Sequence, residues 1–211
     1  MKKVALIDLF DKPISGEWGK EPNESSEVTV GVIRTTNFSN DIRLKKDSEI
    51  VHRVIDNKKI CKKQLRYGDI IIEKSGGSPS QPVGRVLYYD LEDGKTRLCN
   101  NFTSVLRPVR SNEAKYMAYL LYNLYKKGAV LNYQNKTTGI INLKLDNYLK
   151  ETIVPLPPLQ IQKKIVEVLD KAQELIDARK EQIKFMDDLV QSVFYDMFGD
   201  PVTNPKGWEI R

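Results

Sequence analysis

The side chains that could perform catalysis in this 211-residue chain are few and widely spaced. His52, the only histidine, lies in a predicted strand, where a structural imidazole is a simpler interpretation than a general base. Asp69, Glu73 and Lys74 are residue types that metal-dependent nucleases use. Glu73 and Lys74 are adjacent, however, and would therefore point to opposite faces of a strand. This spacing argues against a nuclease centre.

Metal, phosphate and cofactor motifs are equally weak. Cys61 and Cys99 have no CxxC spacing, and with a single histidine they indicate reduced structural thiols rather than a transition-metal site. Asp93-Gly94 is better explained as a hairpin turn than as part of an acidic site. Gly76-Gly77 could cradle a phosphate, but a lone glycine pair is weak support. The sequence also has no P-loop, no dinucleotide-binding motif and no Asn-Pro-Pro-aromatic methyltransferase motif, so we expect a binding protein rather than an enzyme.

Charge is unevenly distributed along the chain. Residues 1–155 carry 26 Lys/Arg against 18 Asp/Glu, a balance of +8, whereas residues 156–211 carry 8 against 10, a balance of −2. A basic N-terminal part favours a polyanion such as nucleic acid, and a nearly neutral C-terminal part favours a protein partner. The sequence has no 18-residue apolar run and no signal-peptide pattern after Met1, so we expect a cytoplasmic protein without a membrane segment.

One uninterrupted amphipathic stretch, residues 159–198, dominates the C-terminal part. Its apolar residues alternate four and three apart, as in helices wound around a partner, with Arg179 as the one interruption. The row comprises Ile165, Leu169, Ala172, Ile176, Ile183, Met186, Val190, Val193 and Met197. At about 1.5 Å per residue, a helix of this length extends about 60 Å, which is too long for its own domain to cover.

We therefore predict a spacer helix that pairs with another helix, in preference to a core helix folded back on its own domain. Arg179 lies near the middle of the stretch. In an antiparallel pair of identical helices the midpoint of one helix meets the midpoint of the other. Arg179 is therefore predicted to fix the register of such a pair.

The remaining pattern predicts an α+β protein: a β-rich domain with a few helices, followed by one long coiled-coil-like helix. The expected parts are a domain over 1–157, the helix over 158–198 and a tail over 199–211. Strands are predicted at Glu27–Thr36, Ile50–Ile55, Ile70–Ile72, Val83–Tyr89, Thr96–Cys99 and Phe102–Val109. Ser111 is predicted to cap a helix over Asn112–Lys127, and Lys74–Pro82 is predicted as a loop.

Four motifs follow one another along essentially the whole chain. They are Gly68-Asp69-Ile70-Ile71-Ile72 before a glycine-bearing loop, Phe102–Pro108 before a helix, Thr137-Thr138-Gly139-Ile140-Ile141-Asn142-Leu143, and Val154–Val166, where Pro157-Pro158 precede the long helix. Together they resemble the specificity (S) subunit of type I restriction-modification systems. Where that family commonly has Glu-Gln after Pro-Leu, this chain has Ile161-Gln162.

The resemblance implies one half of such a subunit, namely a target recognition domain for duplex DNA followed by a spacer helix. A full subunit has two halves with antiparallel helices. The tail after Phe198 is similar to the start of a second recognition domain. The chain is therefore expected to be either a truncated form or a natural half-subunit that forms a homodimer through its long helix.

The function implied by the resemblance is to direct methyltransferase (M) and restriction (R) subunits to a bipartite DNA site. A helix of about 60 Å would span at most about 17 base pairs at about 3.4 Å each. S-adenosylmethionine, ATP and magnesium would belong to the partner subunits and none of them to this chain. The polar residues expected to contact DNA are Arg34, Thr36, Asn37, Lys74, Ser75, Ser78, Gln81, Arg85, Gln134, Asn135, Lys136, Thr137 and Thr138.

Two other binding functions and one enzymatic function remain open at this point. The chain could be the recognition module of another type of restriction-modification system. It could also be a coiled-coil scaffold whose β-rich domain binds protein, although the charge of +8 on residues 1–155 disfavours this. The enzymatic alternative is an autonomous nuclease, which a metal-dependent cleavage assay would detect.

Overall fold

The computed structural model describes residues 2–23, 29–78, 81–137 and 140–209, with the backbone alone described at 136 and 137. The described chain contains twelve strands and four α-helices, which confirms the predicted α+β class. The strands are β1 (Lys2–Ala5), β2 (Ile14–Ser15), β3 (Val30–Ile33), β4 (Val51–Arg53), β5 (Ile70–Glu73), β6 (Ser75–Gly77), β7 (Val86–Tyr88), β8 (Arg97–Cys99), β9 (Thr103–Leu106), β10 (Gln134–Thr137), β11 (Ile140–Leu143) and β12 (Ile153–Leu156). The helices are α1 (Asn57–Lys63), α2 (Ala114–Lys126), α3 (Leu145–Glu151) and α4 (Leu159–Phe198).

A four-stranded sheet in the order β2-β9-β5-β7 lies between two apolar clusters. Side chains of β5 alternate between them: Ile70 and Ile72 pack in one cluster with α2, and Ile71 packs in the other. Because side chains alternate across a strand with period two, a run of three isoleucines fits only a strand that is buried on both faces. The predicted strand at Ile70–Ile72 is therefore confirmed, with all of β5 buried.

A three-stranded sheet in the order β4-β3-β8 contains a parallel pair. Strands β3 and β8 run side by side in the same direction, whereas β3 and β4 are antiparallel. Val30 and Val32 pack with Leu98 in a third apolar cluster. The next residue, Ile33, points to the opposite face and joins the cluster beneath β5. This alternation brings the carboxyl ends of β3 and β8 close to the central sheet.

The predicted hairpin at Asp93-Gly94 is wrong, although the local turn exists and Gly94 has a φ of 72°. Strand β7 pairs with β5, and β8 pairs with β3, so the two strands flanking the turn belong to different sheets. Strand pairing is decided by which cluster buries each strand. Leu87 and Leu98 belong to different clusters, and a turn dipeptide carries no information about that difference.

Two local predictions also need correction. The predicted loop after Lys74 contains β6, which pairs with β11. The basic segment after Asp56, for which no element was predicted, forms α1. Helix α2 begins at Ala114 after Glu113, with no side-chain cap from Ser111. Instead, the Glu113 N–H donates to Gln162 Oε1 at 2.9 Å. An acceptor supplied 49 residues later in the chain is invisible to a local capping rule.

The chain divides into two compact units, Met1–Val166 and Glu167–Arg211. The first unit includes the initial turns of α4. There Gln162 is buried, and its Nε2 donates to Pro157 O at 2.9 Å. The predicted boundary between 157 and 158 stays a prediction.

The second unit contains the rest of α4 and the tail, and its apolar row is open to solvent. The exposed fractions of its large side chains range from 38% at Leu169 to 70% at Val190. After Phe198 the tail turns back on the helix end: Trp208 Nε1 donates to Phe198 O at 2.7 Å, and Lys206 Nζ donates to Met197 O at 2.8 Å. These bonds satisfy carbonyl groups that a helix end leaves unpaired. None of the helices in the described part of the chain is both long and apolar enough to cross a membrane.

Candidate nucleic-acid interface

Strands β3 and β8 end beside each other, with Ile33 opposite Cys99. Because the two strands are parallel, the residues that follow them emerge at the same edge of the sheet. These residues line a cleft of about 440 Å³, here called the strand-end cleft. Its lining residues are Trp18, Arg34, Thr35, Thr36, Asn100, Asn101 and Phe102. The structure thus brings two residues predicted to contact DNA, Arg34 and Thr36, together with five that were not predicted.

Two polar atoms of the cleft are buried without a hydrogen-bond partner. They are Arg34 Nε and Asn100 Oδ1, two of the four such side-chain atoms among the described residues. Asn100 as a whole is only 4% exposed. A buried polar atom left unpaired costs about 1–3 kcal/mol, so such atoms are uncommon in native proteins. Both atoms are closed to solvent, so a ligand in the cleft would reach them only if the surrounding residues moved.

Lys74 and Ser75 are hydrogen-bonded to Phe102, one of the residues that line this cleft. Both backbone N–H groups donate to Phe102 O, at 2.9 and 3.2 Å. The Lys74 ammonium donates to Ser15 Oγ at 2.6 Å. Burial lowers the pKa of Lys74, and the nearby charge of Lys63 lowers it further. The predicted contact residue Lys74 therefore lies next to the cleft with a partly desolvated positive charge.

A second set of predicted residues gathers on the sheet β10-β11-β6. Ser75 Oγ and Asn142 Oδ1 are 2.6 Å apart, which links β6 to β11. Gln134 Nε2 donates to Val83 O at 3.1 Å, and Asn135 is exposed. Strand β10 also carries the backbone of Lys136 and Thr137, whereas Thr138 lies outside the described residues. Lys74-Ser75 thus connects the strand-end cleft to a polar hairpin.

Ser78 and Gln81 form a turn at the surface. Each backbone N–H donates to the carbonyl oxygen of the other residue, at 2.9 and 3.1 Å, and both residues are exposed. Their predicted contact with DNA stays a prediction.

The polar side-chain atoms of Asn37 and Arg85 are hydrogen-bonded within the protein. Asn37 is 1% exposed; its Oδ1 accepts from Arg34 N at 2.7 Å and its Nδ2 donates to Glu49 O at 2.9 Å. Arg85 makes two bonds of 3.0 Å to the Glu73 carboxylate and a third of 3.3 Å to Thr35 O. Burial alone would lower the pKa of Arg85, but its hydrogen bonds to Glu73 raise it. These two residues support the turn after β3, and their predicted contact with DNA stays a prediction.

The two carboxylates considered for catalysis, Asp69 and Glu73, form ion pairs with arginines. Asp69 accepts from Arg107 Nε and Nη2 at 2.7 and 2.8 Å, and Glu73 accepts from Arg85. His52 is exposed on β4 and faces a separate groove. No group of three or more His, Cys, Asp or Glu side chains in the described ranges is placed to hold a metal ion.

Sequence reasoning missed several residues that line the cleft or bond to candidate residues, because their neighbours are distant in the chain. They are Ser15, Trp18, Asn100, Asn101, Phe102 and Asn142. One signal was present: Asn100-Asn101 follows a strand just as Arg34-Thr35 does. Only the parallel pairing of those two strands, which the sequence does not reveal, turns two ordinary strand ends into one cleft.

Comparison with known families and sequences gives consistent matches. Residues 1–184 match the model of the type I restriction modification DNA specificity domain. The MjaVIII type I restriction enzyme specificity subunit of Methanocaldococcus jannaschii is 33% identical over 92 residues, which is 43% of this chain and 21% of that protein. A putative MjaX specificity subunit of the same organism is 27% identical over 158 residues, or 74% of this chain and 36% of that protein.

Solved structures share the fold. A chain from a study of complex assembly and conformational transition in the type I restriction-modification system has a TM-score of 0.61 at 21% identity, over 91% of this chain and 43% of that one. The HsdS subunit of Thermoanaerobacter tengcongensis has a TM-score of 0.54 at 23% identity, over 86% and 39%. The S subunit of M. genitalium has a TM-score of 0.57 at 15% identity, over 93% and 45%.

This chain spans less than half the length of each of these proteins. Within that span, the family model covers both the β-rich part and more than half of α4. The predicted resemblance to type I specificity subunits is therefore confirmed. The matching family is described by its role in DNA specificity. The chain belongs to the family of type I restriction-modification DNA specificity domains.

Proposed function

We propose that this chain recognises a duplex DNA sequence for a type I restriction-modification complex and performs no chemistry itself. The observation that carries the proposal is the polar surface formed where Arg34 and Thr36 of the strand-end cleft lie beside Lys74 and Ser75, which lead into the hairpin β10-β11. Hydrogen-bonding side chains of this kind read base edges, and cations bind phosphates. The positive balance of residues 1–155 supports a polyanionic ligand.

The proposed contacts fall into two groups. Arg34, Thr36, Lys74 and Ser75 belong to the cleft and its rim. Gln134, Asn135 and the following Lys136, Thr137 and Thr138 belong to the hairpin, and Ser78 with Gln81 forms the adjoining turn. In this proposal Lys74 and Lys136 contribute mainly affinity that depends on salt, and the amide and hydroxyl groups contribute sequence discrimination.

The long helix is proposed to pair with the same helix of a second copy. Support comes from the exposed 4-3 row, which leaves large apolar side chains such as Ile183 (60% exposed) and Met186 (61% exposed) in water. Residues 158–198 would then act as a spacer between two recognition domains and define a bipartite site. Arg179, whose Nη1 donates to Gln182 Oε1 at 2.8 Å within the helix, is proposed to set the register.

Methyltransferase and restriction subunits are the proposed protein partners. One solved neighbour comes from work on assembly of the type I system, and the present chain is proposed to assemble in the same kind of complex. S-adenosylmethionine, ATP and magnesium are then proposed to reside on those partner subunits, which would also carry the methylation and cleavage chemistry.

Light scattering followed by DNA titration tests the proposal. We expect a solution mass of about 49 kDa, twice the chain mass of 24.3 kDa. On the same sample, we expect duplex binding that weakens at least tenfold between about 50 and 200 mM salt. A monomer that fails to bind duplex DNA, both alone and with an added methyltransferase subunit, would refute the proposal.

A further inference from the structure

Helix α1 and the residues just after it carry the densest concentration of positive charge in the chain. Five of the nine residues from 58 to 66 are Lys or Arg, and none of the nine is Asp or Glu. The one carboxylate at the helix start, Asp56, caps the helix by accepting from Lys58 N at 2.8 Å. None of these cations belongs to the proposed DNA contacts. Helix α1 therefore adds a positively charged surface that those contacts do not use.

The lysines of α1 form two rows, of which one is neutralised within the protein. Lys59 and Lys63 are four residues apart, and their ammonium groups lie 3.3 and 3.0 Å from the Glu17 carboxylate. Lys58 and Lys62 form the neighbouring row. Both are exposed, and neither ammonium group is bonded to another side chain in the part of the chain that the structure describes. The second row is therefore available to a ligand from solution.

Helix stability explains only part of this charge. A cation in the last turn of a helix, such as Lys62, interacts favourably with the helix dipole, whereas a cation in the first turn opposes it. Lys58 lies in the first turn of α1. A cation at that position favours an anion outside the protein as its partner.

Helix α1 adjoins the strand-end cleft through residues 16–18. Lys63 Nζ donates to Gly16 O at 3.3 Å, and Trp18, two residues further along the chain, lines the cleft. Burial lowers the pKa of Lys74, and the charge of Lys63 lowers it further, so these two ammonium groups are neighbours. The exposed lysines of α1 thus extend the polar surface that begins at the cleft.

We propose that Lys58 and Lys62 bind the phosphate backbone of the DNA whose bases meet the cleft and the hairpin β10-β11. The inference rests on the proposed DNA recognition and adds a phosphate-binding surface to it. Charge complementarity favours duplex DNA as the ligand, because its phosphates repeat along the backbone and exposed ammonium groups bind them without reading sequence. These contacts would position the recognition domain and leave the choice of bases to the amide and hydroxyl groups.

The experiment replaces both lysines with glutamine, which removes two charges at nearly the same helix propensity. We expect Lys58→Gln/Lys62→Gln to weaken duplex binding about tenfold at about 100 mM salt, by the same factor for a selected duplex and for an unrelated one. The slope of log affinity against log salt should become shallower by about two. Lys3→Gln/Lys150→Gln is the matched control, since both residues are exposed on elements (β1 and α3) that carry no proposed contact.

Glu17→Gln should change binding in the opposite direction. It removes the carboxylate charge that neutralises Lys59 and Lys63 and keeps one oxygen as a hydrogen-bond acceptor. With two more ammonium charges available, duplex binding should tighten about threefold and depend more steeply on salt. A gain in affinity cannot arise from a loss of folded structure. A Glu17→Gln variant that binds no more tightly than the parent protein would contradict the placement of α1 against the phosphates.

The remaining outcomes separate this inference from the proposed function. Equal affinity of the two double variants for duplex DNA would overturn the inference and leave DNA recognition standing. Weaker binding of an added methyltransferase subunit by Lys58→Gln/Lys62→Gln would then assign this row to a protein partner. A loss restricted to the selected duplex would also overturn the inference, because it would assign the lysines to base edges. If the unaltered chain binds no duplex DNA, the proposed function fails and this inference fails with it.

Discussion

Arg85 and Glu73 form a two-point ion pair, with both nitrogen–oxygen distances at 3.0 Å. The Glu73 side chain is 3% exposed and that of Arg85 is 16% exposed. Arg85 also donates to Thr35 O, so the pair ties the end of β5 to the turn that follows β3. A residue that looks like a DNA contact in the sequence is therefore part of the frame that holds the strand-end cleft.

Glu73→Gln should destabilise the protein by about 3 kcal/mol, because Arg85 is left as a buried cation without its counter-charge. Urea unfolding should show a lower midpoint with an unchanged slope. Glu21→Gln is the matched control: Glu21 is 84% exposed and lies 3.4 Å from Arg53, so its loss should change stability by less than about 1 kcal/mol. Equal losses in the two variants would contradict a structural role for the Glu73–Arg85 pair.

Gln162→Leu should loosen the start of α4 within the first compact unit. The change removes the acceptor for Glu113 N–H and the donor to Pro157 O, leaving two backbone groups unpaired at a cost of about 2 kcal/mol. Hydrogen exchange should accelerate in the first turns of α2 and α4, while Gln160→Leu, at an exposed neighbouring position, should leave it unchanged. Identical exchange in both variants would show that the buried amide is dispensable.

The two cysteines should differ in reactivity. Cys61 is exposed and Cys99 is buried, and burial raises the pKa of the Cys99 thiol to about 11. Because the thiolate is the reactive form, an aromatic disulfide reagent at pH 8 should modify one thiol per native chain and two in denaturant. Cys61→Ser should abolish the native reaction. Rapid modification of Cys99 in the folded protein would contradict the burial of β8.

Ile183→Asp should convert the proposed dimer into a monomer, lowering the mass from about 49 to about 24 kDa, the mass of one chain. Pairing of the two helices would bury the unpaired Asp carboxylate in the apolar row, which costs free energy and disfavours the dimer. Lys184→Asp changes charge at the adjacent exposed position outside the row and should leave the mass unchanged. Dissociation by both variants, or by neither, would argue against pairing through this row.

Elements with a regular apolar pattern were predicted well from the sequence. Which elements pack against one another was predicted poorly. Residues 159–198 form one helix of 40 residues as predicted. Their apolar residues repeat with a helical period, and no Gly or Pro interrupts the pattern. Ile70–Ile72 was likewise identified, since three consecutive buried β-branched residues favour a strand between two layers. Helix α1 was missed although Asp56, whose carboxylate accepts from Lys58 N at 2.8 Å, is a recognisable cap.

The composition of the strand-end cleft was predicted only in part for a physical reason. Arg34 and Thr36 were singled out from their position after a strand, but Asn100 and Phe102 line the same cleft only because β3 and β8 pair in parallel. A parallel pair joins segments that are far apart in sequence, and no turn residue marks it. The burial of Asn37 and the pairing of Arg85 with Glu73 likewise depend on tertiary contacts that residue type alone does not predict.

Selection from a pool of random duplexes, with the intact chain at about 100 mM salt, tests the central claim most directly. Two identical recognition domains related by a two-fold axis should enrich an inverted repeat with a fixed spacing of at most about 17 base pairs. Enrichment of one such sequence, lost with Asn135→Ala in the proposed contact set but kept with Asn147→Ala, is the predicted result. Binding without enrichment of any sequence would contradict the account, because it would make this basic domain a non-specific polyanion binder.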